Sequence, residues 1–113
     1  MSFAEKIRRR LLRERRDWQP VEFEANGFCV GSERVAWREI SGISAFKRDL
    51  LTIDEVYLQF SVGEKTVQVC EEQPGFTELE AELIQRYPST TNWRKQVMLP
   101  PFSENFTILY RAP

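Results

Sequence analysis

Histidine does not occur anywhere in this chain of 113 residues. The side chain that most often serves as general base, metal ligand or partner of a nucleophilic serine or cysteine is therefore missing. Cysteine is nearly as scarce. Cys29 and Cys70 are the only two, far apart and each inside an apolar, strand-like run. They form no Cys-x-x-Cys and no ligand cluster with zinc spacing, so two buried free thiols in a reducing compartment are expected, although a disulfide between them stays open. The five glycines are scattered and build no phosphate-cradling loop. No apolar run approaches a membrane span, and the N-terminal arginines precede no signal-like hydrophobic stretch. A cytoplasmic protein without integral membrane association is the expectation, and the sequon Asn105-Phe106-Thr107 carries no weight there. No EF-hand spacing and no carboxylate pair stands out, so neither a metal nor a cofactor is expected and an enzyme is not.

What is present is an ordinary globular composition, 42% hydrophobic, 29% charged and 12% aromatic, in a chain long enough for one domain with its own core. The net charge of −1 conceals an asymmetry. Residues 1–20 carry seven bases and three acids, whereas residues 21–113 carry nine bases and fourteen acids. Between Glu71 and Glu82 lie five glutamates and no base.

Ser2 with Glu5 is a capping-box pattern that predicts a helix over residues 3–16 within a basic leader of residues 1–18. Phe3, Ile7 and Leu11 make a narrow apolar stripe, and Lys6, Arg9, Arg13 and Arg16 occupy another face. Such a helix has the charge to lie on nucleic acid or an anionic membrane, but the acidic body opposes a polyanion. The stripe is expected to dock on the sheet or on a second copy of the chain, giving a homodimer, with no nucleic acid bound.

Strand patterns follow at residues 21–25, 27–31, 34–38, 43–46, 56–62 and 66–71, with Asn26-Gly27 the best hairpin signal. A two-residue turn at Gly63-Glu64 would place Phe60 opposite Val67 and Leu58 opposite Val69, all on one face. Thr77 with Glu80 opens a second helix over residues 76–87, with Phe76, Leu79, Leu83, Ile84 and Tyr87 as its stripe and Pro88 as its stop. Residues 89–105 read as a connection. A closing strand over 106–111 sets Phe106, Ile108 and Tyr110 against Thr107, Leu109 and Arg111. The expected fold is α+β: a bent antiparallel sheet or split barrel of about six to seven strands, packed by an amphipathic helix. Over residues 21–87 this order resembles the pleckstrin-homology-type arrangement of short consecutive strands closed by a helix.

One segment mixes charge and apolar residues more densely than any other. In Lys47, Arg48, Asp49, Leu50, Leu51, Thr52, Ile53, Asp54 and Glu55 the charges fall where a turn joins two strands, which suits a recognition platform. Glu71 and Glu72 add acid nearby. Trp18, Trp37 and Tyr110 are expected in the core, as large rings bury well, whereas Trp93 and Phe102, on the long connection beside Arg94 and Lys95, suit the core and an interface anchor equally. The acidic run reads as a helix N-terminus with Glu78 and Glu80 on the macrodipole and Glu82 facing solvent, or as an intramolecular partner for the arginines of the N-terminal helix. Against it stands mimicry of nucleic acid in a nuclease cleft.

The run Phe46-Lys47-Arg48-Asp49-Leu50-x-Thr52-x-Asp54, with Glu71-Glu72 and Gly75-Phe76, resembles small stand-alone bacterial proteins, among them immunity proteins of toxin–immunity pairs. The resemblance spans about residues 40–80. It implies a non-enzymatic protein-binding module that neutralises a cognate toxin, with Asp49, Asp54, Glu55, Glu71 and Glu72 steering the encounter. The alternative is a pleckstrin-homology-like adaptor for an anionic lipid or peptide, with Lys47 and Arg48 as phosphate contacts.

Overall fold

The structure is a computed structural model that describes residues 19–49, 54–99 and 105–113. The helix expected over residues 3–16 lies outside the described residues, as do Thr52 and Phe102. Three short strands open the described chain: β1 (Val21–Glu24), β2 (Gly27–Val30) and β3 (Glu33–Ala36). A 3-10 turn at Trp37–Glu39 leads into the long hairpin of β4 (Ile40–Asp49) and β5 (Asp54–Val62), followed by β6 (Lys65–Cys70). Then come α1 (Phe76–Arg86), a 3-10 turn at Pro88–Thr90, α2 (Trp93–Met98) and β7 (Asn105–Arg111).

The α+β class holds, but the described strands form two antiparallel sheets rather than one bent sheet. One has the order β1-β2-β3 and the other β6-β5-β4-β7, and they do not join into a closed barrel. The 3-10 turn at Trp37–Glu39 separates β3 from β4, so the ladder does not continue across it. Phe28 from the first sheet meets Phe60 from the second at 5.1 Å between rings and Trp37 at 5.2 Å. At the rim Lys65 stitches the sheets, its Nζ donating to the Arg34 carbonyl at 3.0 Å and lying 3.3 Å from Glu33.

Register follows the turns. With Gly63 at φ 61° in the β5–β6 turn, Phe60 faces Val67 and Leu58 faces Val69, as a two-residue turn dictates. In the first hairpin the turn residues are Ala25 and Asn26, because Glu24 already pairs with Gly27. Gly27 is needed for a different reason: a Cβ there would sit 2.0 Å from the Val35 carbonyl oxygen.

Both helices drive apolar side chains into the space beside the sheets. Phe76, Leu79 and Leu83 from α1 and Trp93 and Val97 from α2 are buried in one cluster with Val56, Leu58 and Phe60. The capping box at Thr77 does not form. Gly75 caps α1 with φ 90°, and the Glu80 carboxylate instead accepts from Trp93 Nε1 at 2.8 Å and Arg94 Nη2 at 3.2 Å. Residues 89–105, expected as a plain connection, contain α2. A bulge opposite Ile43 and Ser44 in β7 breaks strict alternation. Leu109 is buried and Tyr110 packs on the core, whereas Phe106 is 60% and Ile108 49% exposed. Neither cysteine is in a disulfide; Cys70 is buried as expected and Cys29 only partly so. Among the described residues no helix is long and apolar enough to cross a membrane.

Candidate functional site

The charged block keeps its strands and loses part of its surface. Lys47 pairs with Val56, Arg48 with Glu55 and Asp49 with Asp54, so the β4–β5 ladder runs to the end of both strands. Lys47 is 1% exposed and its Nζ donates to the Met98 carbonyl at 2.8 Å. Glu55 is fully buried and accepts a hydrogen bond from the Tyr57 hydroxyl. A buried charge persists only with partners, and both side chains have them, so neither is the exposed contact that was expected. Trp93 is likewise core, at 1% exposure. Arg48 does remain exposed. Its guanidinium lies 5.6 Å and 5.3 Å from the centroids of Phe46 and Tyr57, which stack in parallel 4.8 Å apart.

Of the acidic pair, Glu72 is exposed and Glu71 is half-buried. Glu71 receives Arg94 Nη1 at 2.7 Å, so its carboxylate is tied to the chain's own arginine. Burial alone would lower the Arg94 pKa. The hydrogen bond it donates to Glu71 and the charge of Glu80 more than offset this and hold it above its ordinary value. Two carboxylates of the acidic run are thus tied to Arg94 on α2, whereas the pairing expected with the arginines of the N-terminal helix lies outside the described residues.

A different set of residues forms a groove between the first sheet and α1. One cavity of about 470 Å³ is lined by Asn26, Trp37, Arg38, Arg86 and Tyr87. A second, of about 440 Å³, adjoins it through Trp37 and Arg86 and extends to Phe23, Glu78 and Ala81. Local structure explains the assembly. The 3-10 turn buries Trp37 and leaves its neighbour Arg38 exposed, while the last turn of α1 brings Arg86 over the Trp37 ring at 4.7 Å. Trp37 is held from every side: its N–H donates to the Asn26 carbonyl at 3.0 Å, its carbonyl accepts from the Tyr87 hydroxyl at 3.0 Å, and its ring contacts Phe28. The floor is therefore fixed before anything binds.

The charges on this groove are unevenly matched. Arg86 pairs with Glu82 at 3.1 Å on one helix face, and Glu24 pairs with Arg34 at 3.2 Å. Glu24 also accepts from the Cys29 thiol at 2.8 Å, and this hydrogen bond is the main cause of a raised Cys29 pKa. Among the described residues Arg38 and Glu78 have no ion-pair partner, and they lie in opposite halves of the groove. Burial, helped by the neighbouring Tyr110, raises the Tyr87 pKa, so its hydroxyl keeps its proton to higher pH than an ordinary tyrosine. A guanidinium over an aromatic face, beside an exposed phenylalanine, is the equipment of recognition.

Sequence reasoning assigned Trp37 to the core and gave Arg38 and Arg86 no role. Arg38 and Arg86 are brought together only by the fold, and no local pattern marks them as partners. Among the described residues no three metal-ligating side chains come together. No protein-family model, no characterised protein and no solved structure matches the chain.

Proposed function

We propose that this chain is a non-enzymatic protein-binding module of the immunity type, a cytoplasmic inhibitor that neutralises a cognate toxin. On this reading the two sheets and α1 are a pleckstrin-homology-like core. The groove floored by Trp37 carries the proposal, because tryptophan, tyrosine and arginine held rigid at a surface are the residues that dominate binding energy at interfaces. Phe23, 42% exposed beside it, supplies apolar area that a partner would cover.

The test is calorimetry against the product of the adjacent reading frame, with wild type, Phe23→Ser and Arg38→Glu. Each substitution changes an exposed side chain, and each is expected to weaken binding by about tenfold or more. Binding should also weaken as salt rises. Equal affinity for all three proteins would remove the groove from the interface, and absence of any complex would remove the toxin reading. The lipid or peptide adaptor keeps one observation in its favour, the exposed Arg48 over its aromatic pair. It loses Lys47 as a phosphate contact. Liposome flotation of Arg48→Glu decides it.

A further inference from the structure

The protein-binding reading leaves open what part of a partner enters the groove, and the charges in it are specific on this point. We infer that the groove receives an extended segment of the partner's chain bearing one acidic and one basic residue, separated by an apolar side chain. The inference rests on that reading.

Three observations carry it. The half lined by Asn26, Arg38, Arg86 and Tyr87 is cationic. Arg86 is already paired to Glu82, so Arg38 is the guanidinium with capacity to spare for an incoming carboxylate. The half reaching Phe23 and Ala81 carries Glu78, which has no ion-pair partner among the described residues and is exposed. It therefore suits an ammonium or guanidinium. Trp37 lines both halves and Phe23 flanks the second, so apolar surface lies between the opposite charges. A ligand with two acids would place one against Glu78, and a ligand with two bases would place one against Arg38. Like charges brought together in this way are rejected, which is how such a surface discriminates.

The internal pairs sharpen the choice. Glu82 with Arg86 and Glu24 with Arg34 are satisfied within the chain, so they shape the walls while Arg38 and Glu78 do the selecting. An extended segment covers about 3.3 Å per residue, and the spacing between its charges is a quantity the experiment can read.

The experiment uses the full chain and fluorescein-labelled, end-blocked peptides with a central leucine flanked by glycines. Three charge types are compared: aspartate with lysine, aspartate with aspartate, and lysine with lysine, each with the charges two, four and six residues apart. Fluorescence anisotropy is read for wild type, Arg38→Glu and Glu78→Lys. Wild type is expected to favour the mixed peptide at one spacing by about tenfold over both others. Arg38→Glu should then favour the doubly basic peptide and Glu78→Lys the doubly acidic one. Because each variant gains a ligand as it loses another, unfolding cannot imitate the result. An identical ranking in all three proteins, or no binding of any peptide, overturns the inference. If the rankings fail while the partner still loses affinity to Arg38→Glu, only the segment chemistry falls. If the partner is also indifferent to Arg38→Glu, the groove's part in binding falls with it.

Discussion

Replacing Gly75 by alanine tests how tightly the first sheet is locked to α1. Gly75 caps the helix at φ 90° and ψ −3°, a conformation that side-chain-bearing residues rarely adopt. A Cβ there would lie 2.7 Å from the Val21 carbonyl oxygen and 3.0 Å from the Val21 Cβ. Val21 has little room to retreat. It is 6% exposed in the core, and its N–H donates to the Pro74 carbonyl at 2.8 Å. The backbone strain is worth about 1–3 kcal/mol, and forcing a methyl group against a packed neighbour adds roughly 1–3 kcal/mol. A total near 3 kcal/mol would lower the melting temperature of a domain this size by about 10–20 °C. Gly63→Ala is the control, because Gly63 also has positive φ, at 61°, but a Cβ there meets nothing within 4 Å. It should lose only the conformational part, about 1–2 kcal/mol. Thermal and urea unfolding followed by circular dichroism measure both. If Gly75→Ala proves no worse than Gly63→Ala, the contact between Val21 and the cap is not the rigid joint described above.

Two further outcomes follow from a buried lysine and a partly buried tyrosine. Lys47→Ala removes the donor to the Met98 carbonyl and the packing of the lysine stem, and should cost about 2–4 kcal/mol in urea unfolding; a change under about 0.5 kcal/mol would mean that Lys47 contributes nothing to the core. The raised pKa of Tyr87 means that the folded state holds its proton more firmly than the unfolded chain does. That part of the stability is fully present below the unfolded value near 10 and is lost as pH rises through the higher folded value. Urea midpoints should therefore fall as pH rises past about 10, and Tyr87→Phe should flatten this fall while losing the hydrogen bond to Trp37. An equally steep fall in Tyr87→Phe would place the alkaline sensitivity elsewhere.

The sheet was legible where a turn and an alternating pattern agreed. Gly63 set the β5–β6 turn, period two did the rest, and the expected pairs Phe60–Val67 and Leu58–Val69 are the observed ones. Asn26-Gly27 marked the right hairpin through a shifted turn, because glycine is demanded there by the nearness of Val35 rather than by a positive φ. The short α2 was missed since six residues give too little periodicity, although Trp93 and Val97 at a spacing of four were a usable sign. Lys47 and Glu55 were read as exposed because charged residues usually are; the Met98 carbonyl that holds Lys47 is brought near only by folding, whereas Tyr57 lies two residues from Glu55 on the same strand and was a usable sign. The groove was invisible for the same reason. Its two arginines belong to different elements, and its tryptophan was correctly assigned to the core without the second role of flooring a surface.

Strand β7 pairs with β4 rather than with its neighbour in sequence, and both helices lie between them in the chain. During synthesis β4, β5 and β6 can assemble while the other side of β4 still presents its unpaired amides and carbonyls. That edge is a template for any extended chain, including another copy, until residues 105–111 emerge and cover it. The order of strands thus sets a window in which a nascent chain is open to mispairing, and it ends only when the last strand is made.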